Sequence, residues 1–255
     1  YRIQSMRENR AMDNILKNLK NNEDSDIVIL EYAAGEEDIR LPQANDYLDM
    51  GKQYKQIMFF YEAGIKQLTA KLEILRQEFQ FCNDRNPIES VKSRIKTQES
   101  ILRKMEKKCL PLTVSSMMSN IRDIAGVRVI CPFITDVYQV ARLLISQEDV
   151  ELVRIKDYIR EPKENGYRSL HMIVTVEVRF SDRKRKVPVE IQLRTIAMNF
   201  WASTEHQLRY KKDWEFTEEM HRQLKECADI MATADAKMQH LAENLNLSDT
   251  EDLYW

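Results

Sequence analysis

The segment Lys186-Val-Pro-Val-Glu-Ile-Gln-Leu-Arg194 decides the fold. Val187, Val189, Ile191 and Leu193 alternate with Pro188, Glu190, Gln192 and Arg194, the period of a strand with one apolar and one polar face. A carboxylate, an amide and a guanidinium in a row on one side of a strand do not belong in a core. That side is expected to face a ligand while the other is covered by helices. Working backwards, Ser169 to Phe180 repeats the arrangement, with Leu170, Met172, Val174, Val176 and Val178 opposite Ser169, His171, Thr175 and Glu177. Glu151 to Tyr158 and Val127 to Phe133 complete four expected strands, with a helix over residues 136–146 after the first in chain order.

Helices surround this set. From Tyr47 to Phe81, Ile57, Phe60, Tyr61, Ile65, Leu68, Leu72 and Leu75 recur at three- and four-residue spacing, which predicts a long amphipathic helix packed on the sheet. A second helix is expected over residues 97–108, with Ile101, Leu102 and Met105 inward, then a loop and short helix to Ile121. After Thr195 the chain reads as helical to Tyr210. A final helix, about 215–245, carries Leu224, Cys227, Met231, Ala234, Met238, Leu241 and Leu245 at near-heptad spacing, suited to burial or to pairing with another subunit. The expected fold class is therefore mixed α/β, or α+β. Residues 1–46, with the strand-like Ile27 to Tyr32, are expected to be an appendage, and 246–255 a tail.

Composition narrows the chemistry. A net charge of −2 over 255 residues gives no global attraction to nucleic acid or anionic membranes, so any polyanion must meet a local cluster of cations. Apolar runs such as Ile27 to Leu30 are far shorter than the roughly 20 residues of a membrane span, and no secretory signal is readable. Cys82, Cys109, Cys131 and Cys227 form no C-x-x-C pair and are expected to be reduced, mostly buried thiols of a cytoplasmic protein. The five glycines form neither a Rossmann nor a P-loop pattern. None of the four histidines belongs to an H-E-x-x-H pair or precedes an Asp, which disfavours zinc proteases and His-Asp phosphohydrolases. Bound phosphates must then be held by side-chain cations.

Three places supply the candidates. Arg94 and Lys96 share one side of an extended segment, and Ser100 and Lys104 one face of the following helix. This array suits a triphosphate, or equally a solvated basic face. Asp123 precedes a buried strand in which Arg128, between Val127 and Val129, needs an anionic partner or a stacking role. Asp123 can cap or pair locally, and Glu190 can be a half-exposed strand residue, or both can serve a metal or a proton. In Lys163-Glu-Asn-Gly-Tyr-Arg-Ser-Leu-His171 the Asn165-Gly166 turn presents Tyr167 among cations, either as a base-stacking platform or as a ring closing a hairpin.

Together, Asn86-Pro-Ile-Glu-Ser-Val-Lys-Ser-Arg-Ile-Lys96, Asp123-Ile-Ala-Gly-Val-Arg128, Asp157-Tyr-Ile159, Asn165-Gly-Tyr-Arg-Ser-Leu-His171 and Val189-Glu-Ile-Gln-Leu-Arg-Thr-Ile-Ala-Met-Asn-Phe-Trp-Ala-Ser203 resemble the synthetase domain of the RelA/SpoT family. The likeness covers residues 47–245 and is greatest to the stand-alone small alarmone synthetases of the RelP-like branch. It implies a nucleotidyltransferase-like mixed sheet, and transfer of the β,γ-diphosphate of ATP to the 3′-hydroxyl of GDP or GTP. Mg²⁺ is the implied cofactor, with Asp123 as its ligand and Glu190 as base, ligand or both. Arg94 and Arg128 are implied to sandwich adenine, and Lys96, Ser100, Lys104 and Lys156 to hold ATP phosphates. Lys156 departs from the Arg of many relatives. Tyr167 is implied to stack on guanine, with Lys163 and His171 on the acceptor's 5′-phosphates and Asn199 at the guanine edge. Gln192 and Glu205 complete the polar wall. The resemblance further implies a homotetramer and synthesis without hydrolysis. Two other readings stay open: a tRNA 3′ end as acceptor, which toxic relatives use and which a basic approach to the site would favour, and a nucleotide-sensing or RNA-binding module without catalysis, against which the presence of both carboxylates argues.

Overall fold

The computed structural model describes residues 44–82, 85–210 and 216–245. The expected strand at Ile27 to Tyr32 lies outside them. Helix α1 spans Ala44–Cys82, followed by β1 (Ser90–Ile95), α2 (Gln98–Lys107), α3 (Val114–Asn120), β2 (Ala125–Cys131), α4 (Ile134–Ile145), β3 (Val150–Asp157), β4 (Leu170–Arg179), β5 (Lys184–Thr195), α5 (Ile196–Tyr210) and α6 (Glu218–Asn244). The strands form one five-stranded sheet in the order β1-β2-β5-β4-β3. Only the β2–β5 pair is parallel; β1–β2, β5–β4 and β4–β3 are antiparallel. This is the mixed sheet the sequence predicts.

β5 is the central strand because its alternation gives both faces a use. Val187, Val189, Ile191 and Leu193 are buried with Val127, Val129, Val174 and Val176 in one cluster, which Leu68 and Leu72 of α1 and Val140 and Leu144 of α4 complete. Gly64 lets α1 come close. A Cβ there would stand 2.7 Å from Val187 Cγ1. Pro188, which lacks a ladder donor, precedes the β2 pairing, which starts at Glu190, so β2 loses no partner.

Strand β1 extends the four strands expected from the sequence to five. It is an edge strand whose burial does not alternate, so no period of two marks it. The thiols depart from expectation as well: all four are free, but only Cys131 is buried, while Cys82, Cys109 and Cys227 are exposed. In α6 the near-heptad stripe divides. Leu224 and Met231 pack inward on Trp201, Ala202 and Ala228, whereas Met238, Leu241 and Leu245 face outward. The inner face is chosen by small and polar groups instead: Thr195 Oγ1 donates to Asp235, and Gln239 Oε1 accepts from Thr135.

Candidate active site

Registry aligns the polar face. Lys92 pairs with Arg128, Arg128 with Gln192, Gln192 with His171 and His171 with Lys156, so one transverse row crosses all five strands on one side of the sheet. Glu190 lies one pleat away, paired with Gly126 on β2, which is itself opposite Arg94. Lys92, Ser93, Arg94, Gly126, Val127, Arg128, Glu190 and Gln192 enclose a cavity of about 190 Å³. Arg128 is half-buried, and its Nε is buried without a protein partner. Burial, with the like charges of Arg194 and Arg94, holds its guanidinium below the ordinary arginine value. Two guanidiniums at the mouth of one cavity are a site for a planar, electron-rich or anionic ligand.

The second group surrounds Asp123, just before β2. Lys96 Nζ and Lys104 Nζ each donate to Asp123 Oδ2 at 2.6 Å, joining the end of β1 to α2 through one carboxylate. Burial raises this carboxyl, but the two ammonium hydrogen bonds outweigh it and hold Asp123 below its ordinary value. Its Oδ1 is buried without a partner. Ser100 lies in the first turn of the adjacent helix, where Thr97 Oγ1 caps its backbone N–H at 3.3 Å. Lys104 and Ser100 therefore share the face expected from the sequence, with Lys104 now tied to Asp123.

The third group lies along β4 and the turn before it. Gly166 has φ +85°, the left-handed value that the Asn165-Gly166 turn predicts. Lys163 Nζ stands over the rings of Tyr158 and Tyr167 at 4.8 and 4.9 Å. Tyr167 Oη is 2.7 Å from His171 Nε2, and His171 Nδ1 is 3.5 Å from Glu190 Oε1. Gln192 Nε2 donates to Glu190 Oε2 at 2.9 Å. Burial raises the Glu190 carboxyl and Asp123 adds to that, but the groups of His171 and Gln192 prevail and hold it below the ordinary value. Both carboxylates are therefore ionised at neutral pH.

The structure thus brings Arg94, Arg128, Glu190 and Gln192 around one cavity, Lys96 and Lys104 onto Asp123, and Lys163, Tyr167 and His171 into a cluster that reaches Glu190. Asn199 is in the first turn of α5 with Oδ1 buried and unpaired, an acceptor for which no protein donor is provided. Lys156 is exposed on edge strand β3, opposite His171, and Glu205 lies further along α5. Arg194 has no role in the sequence reading, yet it is 4% exposed and its guanidinium lies 5.2 Å from the Tyr167 ring centre. The available signal was a guanidinium on the ligand face of a buried strand. Asp157, in a quoted motif, is structural: it accepts from Tyr138 Oη at 2.9 Å and from the backbone N–H of Ile159.

A mixed sheet with a cation-lined cavity, two ionised carboxylates and an aromatic–cation platform on one face defines a nucleotide-handling enzyme. A match to the region found in RelA/SpoT proteins spans residues 93–215. GTP pyrophosphokinase YwaC of Bacillus subtilis is 41% identical over 201 residues, 79% of this chain and 96% of the relative. Small alarmone synthetase 1 from Bacillus subtilis bound to its product pppGpp is 35% identical at a TM-score of 0.70, covering 76% of this chain and 98% of that one. The same enzyme bound to AMPCPP superposes at a TM-score of 0.65 and 31% identity, covering 77% and 99%. The chain belongs to the RelA/SpoT family.

Proposed function

We infer that the chain is a GTP pyrophosphokinase, a small alarmone synthetase that moves the β,γ-diphosphate of ATP onto the 3′-hydroxyl of GDP or GTP. The observation that carries the reading is the position of Glu190: one ionised carboxylate on the sheet's polar face, reached from one side by the Arg94–Arg128 cavity and from the other by the Tyr167–His171 cluster. A donor and an acceptor nucleotide bound in these two places meet at that carboxylate. Solved relatives carrying pppGpp or AMPCPP support nucleotide ligands of this kind.

On this reading Arg94 and Arg128 hold adenine, and Lys96, Ser100, Lys104 and Lys156 take the donor phosphates. Tyr167 stacks on guanine, Lys163 and His171 meet the 5′-phosphates, and Asn199 reads the guanine edge. Glu190 accepts the proton of the 3′-hydroxyl as its oxygen attacks the β-phosphorus and AMP departs. Catalysis of this kind is mostly positioning and neutralisation of developing charge. Mg²⁺ fits Asp123 and Glu190, because both present carboxylate oxygens, Asp123 Oδ1 is a buried acceptor without a partner, and Glu190 feels the charge of Asp123. Such an ion supplies charge neutralisation at the transferring phosphates. Residues 47–245 form the catalytic unit. No described helix is long and apolar enough to cross a membrane, and the nucleotide substrates favour a cytoplasmic enzyme.

The test is incubation with γ-labelled ATP, Mg²⁺ and GDP, GTP or tRNA. Label is expected on the guanosine nucleotide. Label on tRNA alone would overturn the acceptor, and no transfer would overturn the enzyme. Glu190→Gln removes the charge at nearly constant volume and is expected to lower transfer by about 10²–10⁴-fold while ATP still binds. Full activity in that variant removes Glu190 from the reaction.

A further inference from the structure

Arg194 is a guanidinium 4% exposed to solvent, and among the described residues no carboxylate lies within ion-pairing distance of it. A buried charge without an opposite charge is costly unless hydrogen bonds offset its lost hydration. Its partners are all neutral side chains. Nη2 donates to Tyr167 Oη at 2.7 Å and to Gln192 Oε1 at 3.0 Å, and Nε approaches Ser169 Oγ at 3.4 Å. The two hydrogens of one nitrogen therefore divide between Tyr167 and Gln192.

A guanidinium has donors and no acceptor, so Tyr167 and Gln192 both accept from it. The Tyr167 oxygen accepts from Arg194, so its own hydrogen is left to point at His171 Nε2, 2.7 Å away. Given to Nε2, that hydrogen requires a bare ring nitrogen there. The ring's proton lies on Nδ1, the atom that faces Glu190 Oε1 at 3.5 Å. On the other branch Gln192 turns its oxygen to Arg194, and its amide nitrogen donates to Glu190 Oε2 at 2.9 Å. Two chains leave one guanidinium and end on the two oxygens of one carboxylate.

We propose that Arg194 is a positioning residue: through Tyr167–His171 and through Gln192 it directs a hydrogen-bond donor at each oxygen of Glu190, and holds His171 in the Nδ1-protonated tautomer. The role of Glu190 as base rests on the proposed function; the tautomer does not. The consequence for the reaction is that the ring offered to guanine and the carboxylate offered to the 3′-hydroxyl are oriented by the same guanidinium. The Gln192 hydrogen bond on Oε2 and the Nδ1 edge of His171 facing Oε1 set the carboxylate plane and leave further lone pairs for the substrate.

The test is ¹⁵N–¹H correlation NMR of the histidine rings in the substrate-free full chain at pH 8, with the His171 signals assigned by their loss in His171→Asn. His171 is expected as the Nδ1–H tautomer. In Tyr167→Phe, which deletes one hydroxyl and keeps the stacking ring, the Nε2–H form should become the main one. Turnover should fall about 3- to 10-fold, as for one lost hydrogen bond, with the KM for GDP changing less than twofold. Arg194→Met is expected to shift the tautomer the same way and to lower turnover further, since both branches are lost. If that variant does not fold, Tyr167→Phe decides. A wild-type ring protonated on Nε2, or an Nδ1–H tautomer that persists in Tyr167→Phe, overturns the proposal whether or not the chain makes alarmone.

Discussion

Asp136 opens α4 with no solvent exposure, held by Arg85 through two short bonds, Nη1 to Oδ2 at 2.7 Å and Nη2 to Oδ1 at 2.6 Å, and accepting from the Phe133 N–H at 3.1 Å. A bidentate pair of this geometry compensates the desolvation of both ions, so removing one charge leaves the other expensive. Asp136→Asn, equal in volume, is expected to lower unfolding stability by about 3 kcal/mol; urea unfolding followed by circular dichroism measures it, and a loss below about 1 kcal/mol would show the pair to be dispensable. The partner was not legible in the sequence. Arg85 stands 51 residues away, and nothing local in either segment names the other. Asp123 shows the same limit from the opposite side. Its type and place before a buried strand were readable, and so was the Lys96–Lys104 array, but that all three meet on one carboxylate oxygen depends on how β1 and α2 fold back. For Arg194, the neighbours in sequence say only that it lies on the polar face of β5. Its partners Tyr167 and Ser169 come from another strand's approach.

At the scale of elements, α6 is docked by polar contacts as much as by apolar ones. Asp235 is nearly buried on its inner face, and burial raises its carboxyl above the ordinary value against the opposing hydrogen bond from Thr195. The sign follows from linkage: a carboxyl with a raised folded-state pKa binds its proton more tightly in the folded chain, so stability falls as pH rises from the unfolded-state value through the folded one. Asp235→Asn keeps an acceptor for the Thr195 hydroxyl and removes the charge. Its thermal midpoint is expected to lie above the parent's by a few degrees at pH 7.5, with the difference closing as the pH falls towards the ordinary aspartate value; an equal or lower midpoint at pH 7.5 would show that the charge is compensated. The same helix presses on the loop that carries Tyr167, since a Cβ on Gly166 would stand 2.4 Å from that of Ala228, and Arg168 Nη1 donates to the Ala228 carbonyl at 3.3 Å. Helices were the most legible elements: α1 falls close to the span its three- and four-residue spacing predicts, and α2 and α5 close to the spans expected for them. β1 was not, because an edge strand that lines a cavity has no second face to bury. In α6 the spacing gave the helix but not its inward side, which Ala228, Asp235, Gln239 and Ala242 decide by fitting closely, not by being apolar.

For the whole molecule, one exposed flank of α6 is apolar. Ile230, Met238, Leu241 and Leu245 are 63%, 53%, 54% and 69% exposed, and at 100° per residue they fall within one quadrant, on a flank about a right angle from the docked face. Ile196 and Phe200 on α5 are also more than half exposed. A helix that buries its small and polar residues and exposes its large apolar ones is unfavourable for a lone chain, at roughly 25 cal/mol for each Å² left in water. A second copy of the chain, offering the same stripe across a twofold axis, relieves this without any further partner. Together with the family resemblance, this leads to the expectation of a homotetramer, with a light-scattering mass about four times that of the 30.3 kDa chain. Ile230→Glu combined with Leu241→Glu places charge in the centre of the stripe and touches none of the groups that dock α6. The variant is expected to fall to a smaller assembly while its circular dichroism remains that of the parent. A parent that scatters as a single chain, or a double variant that keeps the parent's mass, would mean that this face serves some other purpose. Because α6 also presses on Gly166 beside Tyr167, loss of the assembly should loosen that loop first. The KM for GDP is then expected to rise severalfold in the variant while that for ATP stays near the parent's, since the Arg94–Arg128 cavity lies on the far side of Glu190.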